Sequence, residues 1–233
     1  MTPVLFYGVP EGCSFGSIVA LEWLGKPYRL CRIEMMDGSV MNDFSSINTV
    51  AETPSYITED GRIIHESAAI LAHIGARSTG YSKGFVRGGR ETDTLNEMLA
   101  FLNTSFFGAF SPLWHTLEHE MSETEKSVLT AYGKTLVQKA HADLQRKLNG
   151  RQWLAGPNPT IADAYFMGLA RWADFHSAAS REDYPALNRL YERLEGDPAV
   201  KFAHAIEEGT DIAVSSAFQG HISLEEAQAL IKP

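Results

Sequence analysis

The chain has 233 residues, enough for one large or two modest domains that each bury a core. Its net charge of −9, with no basic stripe interleaved with aromatics, argues against nucleic-acid binding. Two cysteines, Cys13 and Cys31, with no C-x-x-C, supply neither a disulfide framework nor a four-thiol zinc site. The N-terminus lacks a basic start followed by a long apolar stretch, and no uninterrupted apolar run reaches the roughly 18 residues of a membrane helix. A cytoplasmic protein without a membrane partner is the expectation.

In chain order, "PVLFY" (3–7) reads as a buried strand closed by Gly8 and Pro10. "SFGSIVALEWLGK" (14–26) shifts to helical spacing at Ile18, Leu21 and Leu24 or Trp23, and Gly25 with Pro27 stops it. "YRLCRIE" (28–34) alternates as a strand, so the opening is a β-α-β unit with parallel strands and a right-handed crossover. After an irregular stretch with a short helix near 40–46, "TPSYIT" and "RIIH" flank Asp60-Gly61, a hairpin signal. "ESAAILAHIGAR" (66–77) is a helix. Residues 1–78 therefore read β-α-β-α-β-β-α.

"STGYSKGFVRGG", with four glycines and two serines, makes 79–89 the expected linker. Beyond it strand signals vanish, and 90–117, 123–149, 160–179 and 186–206 are all helix-like. "SETE" (122–125) and "TIAD" (160–163) are capping boxes, the second behind the breakers Pro157 and Pro159. A third box, Ser223 to Glu226, opens a possible last helix in the 207–233 tail. The fold class is α/β followed by all-α, with residues 90–233 assigned to a helical domain and its C-terminal extension.

Cys13 lies just ahead of the first helix. From its surroundings alone it is either a small core residue or a thiol at a helix start, where amides and dipole stabilise a thiolate. Cys31, in mid-strand, reads as core. Phe106, Phe107, Phe110 and Trp114 share a helix face that either lines an apolar pocket or packs inward. His115 and His119 stand at i, i+4 without a third ligand and read as an exposed helix end.

The strand-turn-helix ending in Cys13, then "TPSYITEDGRIIHESAAI", then "WLAGPNPTIADAYFMGLARWA", in that order, resembles the cytosolic glutathione S-transferases over roughly residues 3–205. The bacterial, cysteine-bearing beta class looks most similar. The resemblance implies a thioredoxin-like glutathione-binding domain, a helical domain that helps bind an apolar electrophile or disulfide, and a homodimer that acts in detoxification. It implies a cis Thr53-Pro54 step whose Thr53 backbone pairs with glutathione like an added strand. It implies that Ser67 and the helix N-terminus take the γ-glutamyl carboxylate while Glu66 faces the ammonium. Cys13 is implied to steady or exchange with the glutathione thiolate, with Tyr7 and Ser14 as hydroxyl candidates ranked below it. Departures are also visible. Phe107 stands where the beta class has a histidine, no basic residue occurs in 35–40, and Glu52 precedes Thr53 where Lys or Gln is usual. They favour the alternative reading, a non-catalytic hydrophobic-ligand or protein-interaction module on the same fold.

Overall fold

The computed structural model describes residues 1–77, 89–148, 150–210 and 215–231. The expected linker at 79–89 falls outside the described residues apart from Gly89. The chain forms two compact units, Met1–Lys83 with Gly196–Pro233, and Gly84–Glu195.

In the first unit β1 (Val4–Val9) leads to α1 (Phe15–Leu24), β2 (Tyr28–Glu34), α2 (Gly38–Phe44), β3 (Ser55–Ile57), β4 (Ile63–His65) and α3 (Ser67–Gly75). This is the order expected from the sequence. β1 runs one residue past Gly8 because its pairing with parallel β2 continues to Val9↔Glu34. β1 pairs antiparallel with β3, and β3 with β4 across the Asp60-Gly61 turn. Gly61 takes the positive φ of 83° that this turn needs. Gly25 closes α1 in the left-handed conformation, its amide donating to Leu21 O at 3.1 Å.

The second unit is helical: α4 (Arg90–Phe101), a π-helical turn (Leu102–Phe107), a 3₁₀ turn (Gly108–Phe110), α5 (Ser111–Glu118), α6 (Glu123–Leu148), α7 (Ile161–Ala170), α8 (Trp172–Phe175) and α9 (Pro185–Glu195). Both capping boxes expected here form. Ser122 N donates to Glu125 Oε2 at 2.9 Å, and Thr160 N donates to Asp163 Oδ2 at 2.8 Å. Asp163 also accepts from Leu154 N at 2.9 Å and is wholly buried, so one carboxylate ties the helix start to the preceding loop. Phe106 and Phe110 are fully buried, while Phe107 and Trp114 are partly exposed; the aromatic face divides between core and surface. His115 and His119 stack at 4.1 Å between ring centroids and are exposed.

The tail differs from its sequence assignment. α10 (Pro198–Glu208), β5 (Phe218–His221) and α11 (Leu224–Gln228) join the first unit rather than extending the helical one. α10 lies on α1, with Trp23 Nε1 donating to Asp197 Oδ1 at 3.2 Å and Phe15 against His204. β5 pairs parallel with β2, completing a sheet of order β4-β3-β1-β2-β5. The physical reason is burial. Ala227 enters the cluster of Val4, Phe6, Cys31, Ile33 and Phe44, and Ile222, Leu224, Leu230 and Ile231 pack against it. The tail thus covers both the edge of β2 and one sheet face with apolar surface that would otherwise meet water. Its strand is not legible as one because "FQGH" has a glycine and no apolar alternation. No helix among the described residues is long and apolar enough to cross a membrane.

Candidate functional site

Cys13 stands in the turn between β1 and α1, two residues ahead of the first helical residue, and is partly exposed. Its Sγ donates to the carbonyl oxygen of Thr53 at 3.1 Å. Thr53 is buried and its peptide bond to Pro54 is cis, as the sequence resemblance implied. Ser67, the first residue of α3 and also buried, donates its hydroxyl to Cys13 O at 3.5 Å. Residues far apart in sequence thus meet: the β1–α1 turn, the entry to β3 and the start of α3. A helix start leaves its first amides without intrahelical acceptors, so this end of α3 is suited to an anion.

Glu66 precedes Ser67 and is exposed at φ 70°, ψ 125°, a conformation that an L-residue adopts only under strain. Its carbonyl accepts from Ile70 N at 2.9 Å, which fixes it as the helix cap. Glu52 is exposed, and its carbonyl accepts from Asn48 Nδ2 at 2.7 Å.

Two hydroxyls expected from the sequence turn elsewhere. Ser14 is fully buried and accepts from Gly8 N at 3.2 Å, which closes the turn. Tyr7 is also buried, and its hydroxyl lies 3.0 Å from His221 Nε2 on β5. β5 and β3 sit on opposite sides of β1 in the sheet, so the Tyr7 hydroxyl is aimed away from the Thr53 side. Burial pushes the Tyr7 phenol above its ordinary range, opposed by the neighbouring Arg32.

Sequence reasoning missed the residues that bring the three segments together. A Cβ on Gly8 would lie 2.2 Å from Thr53 Oγ1 and 2.5 Å from Met35 Sδ. One on Gly12 would lie 2.2 Å from Gly8 O. Both glycines are therefore required by close approach, and Met35 packs beside Thr53, its Sδ 3.5 Å from Oγ1. Asn48 is buried and holds the loop into β3 from both ends of its amide, accepting from Val50 N at 3.1 Å as well as donating to Glu52 O. The spacing of Gly8 and Gly12 around the turn was the available signal; nothing local marks Met35 or Asn48.

Comparison with known proteins follows the same lines. Residues 101–198 match the family description "Glutathione S-transferase, C-terminal domain". A glutathione S-transferase of Xanthomonas campestris, GST-4.5, is 26% identical over 211 residues, spanning 84% of this chain and 95% of that protein. A sphingomonad glutathione S-transferase, solved in complex with glutathione, superposes with a TM-score of 0.77 at 24% identity and covers 88% of this chain and 98% of its own. This chain has the glutathione S-transferase fold. A bacterial beta-class glutathione S-transferase from Sphingomonas chungbukensis superposes with a TM-score of 0.76 at 23% identity, covering 88% of this chain and 98% of its own. The transferase C-terminal domain match lies almost wholly within the second compact unit.

Proposed function

We propose that the protein is a glutathione transferase whose thiol site is built on Cys13, Thr53 and Ser67. The observation that carries this reading is the approach of Cys13 Sγ to Thr53 O at 3.1 Å with Ser67 Oγ on the Cys13 carbonyl. Support comes also from the Xanthomonas relative and from the sphingomonad transferase that binds glutathione. The Thr53 backbone would pair with the cysteinyl unit of glutathione, in the manner of an added strand. Ser67 and the first α3 amides would hold the γ-glutamyl carboxylate, with the exposed Glu66 toward the ammonium. The strained backbone at Glu66, which also caps α3, supports a residue held for binding.

Glutathione's sulfur would compete with Thr53 O for the Cys13 proton, so Cys13 steadies the thiolate as a donor. In conjugation that thiolate supplies both electrons of a new carbon–sulfur bond to an apolar electrophile, and the leaving group departs with the pair of the broken bond. In exchange the Cys13 thiolate attacks a glutathionyl sulfur, forms a mixed disulfide and expels the partner thiolate; a second glutathione thiolate then releases Cys13 and forms glutathione disulfide. Tyr7 and Ser14 are outside this scheme because their hydroxyls are engaged within the fold. A homodimer, expected from the resemblance, belongs to the same proposal.

Calorimetric titration with glutathione tests the reading. Saturable binding is expected, weakened roughly tenfold or more in Ser67→Ala because a hydrogen bond to a charged group is lost. Cys13→Ala should retain binding and lose disulfide exchange. No saturation at millimolar glutathione would leave the non-catalytic module as the correct description.

A further inference from the structure

Within the helical unit, a cavity of about 220 Å³ is lined by Gly150, Arg151, Gln152, Ala186, Arg189 and Arg193. Three of the chain's 20 basic side chains thus border one hollow on a protein of net charge −9. None of the three pairs with a carboxylate among the described residues. The neighbouring acids are engaged elsewhere: Glu97 with Lys147 Nζ at 2.7 Å, Glu192 with Asn188 Nδ2 at 3.0 Å, and Glu195 with Tyr191.

Two of the guanidinium groups are held in place by contacts to neutral partners, and the Glu97 charge reaches Arg151 only from beyond ion-pair distance. Arg151 donates from Nη2 to Lys147 O at 2.7 Å and from Nε to Leu148 O at 3.3 Å. Arg193 donates from Nη1 to Gln152 O at 2.9 Å and lies over the Trp153 ring at 5.1 Å. Arg189 and Arg193 are four apart on α9, a like-charge spacing that costs a helix stability. Three guanidinium forks that border one hollow without an ion pair match the oxygens of a multiply charged anion, which they bind through parallel N–H···O bonds.

We propose that this hollow is a binding site for a phosphoryl group. Its volume exceeds that of one phosphate, so it takes a phosphate monoester with a small organic part or a phospholipid headgroup; the shared chemistry is the dianionic phosphoryl oxygens against three arginines. The site is independent of the thiol site and stands whether or not glutathione is the co-substrate.

The test titrates the full chain with sodium phosphate and with pyrophosphate, against sodium chloride at matched ionic strength, by calorimetry and by melting temperature. Wild type should bind both saturably, and the Arg189→Ala/Arg193→Ala variant should bind at least about tenfold more weakly. Without phosphate the variant should still melt cooperatively, slightly below wild type, since loss of the Arg193 bond to Gln152 O and of its Trp153 contact outweighs the relief of a like-charge pair. Co-sedimentation with phosphatidic acid vesicles, against phosphatidylcholine vesicles, separates the sources. Capture that the variant loses assigns a lipid headgroup, and phosphate binding without capture assigns a free ester. Heats that merely match chloride together with no capture, or equal affinity in the variant, would overturn the proposal.

Discussion

Cys31 faces the α2 and α11 layer from the middle of β2, where burial first and the Glu226 charge second push its thiol up to about 12. Cys13 sits at a partly exposed turn with its proton on a carbonyl oxygen. The thiolate is the reactive species, so an aromatic disulfide reagent at pH 8 should modify one thiol per native chain quickly and two only in denaturant. Cys13→Ala should abolish the fast reaction; a fast second thiol in the native chain would contradict the burial of Cys31. Cys13, Thr53 and Ser67 were legible because each sits at a punctuation point of the sequence: a Gly-Cys-Ser turn, a Thr-Pro step, a helix start. Ser14 and Tyr7 carry equally suitable hydroxyls at suitable positions, and only three-dimensional direction, toward Gly8 N and His221, separates them from the proposed thiol site. Gly8 reads in sequence as a strand breaker. In the fold it is instead a contact surface, lying inside β1 with no room for a side chain beside Thr53 and Met35.

At the level of elements, local chemistry predicted well wherever it was self-contained. The three capping boxes and the Asp60-Gly61 hairpin form because every partner lies within a few residues. Asp163 goes further than a cap. Its oxygens serve Thr160 N, Thr160 Oγ1 and Leu154 N, and burial raises its carboxyl to about 6 against the pull of those donors. Removing it strands two buried amides. Asp163→Ala should therefore destabilise the protein by about 3 kcal/mol, read as a shifted urea midpoint with unchanged slope. A change below about 0.5 kcal/mol would mean that the loop before α7 finds other partners. β5 was not legible because its justification is non-local: a short polar-looking segment becomes a strand only because β2 offers it an edge and the apolar residues after it have a face to cover.

Across the whole molecule, several histidines are held neutral. Burial lowers His141, which directs Nδ1 at Val137 O at 2.8 Å, and takes His176 to about 4 among Phe110, Trp114 and Phe175. His73 and His221 shift in the same direction. The unfolded chain takes up these protons near pH 6.5 while the folded one resists. Their contribution is thus complete above about pH 6.5 and is lost as pH falls toward about 4. Urea midpoints measured from pH 7.5 to 4.5 should decline over that window, with a shallower slope in His176→Gln. A flat profile in wild type would show that these rings are solvated. The sheet adds a consequence in time rather than space. Tyr7 and His221, in contact at 3.0 Å, are 214 residues apart in the chain, with the entire helical unit between them. A ribosome must therefore make that unit before the fifth strand exists. Throughout this interval the growing protein keeps an unpaired β2 edge, able to capture another strand. Synthesis halted before residue 215 would leave that edge open to a strand from another chain.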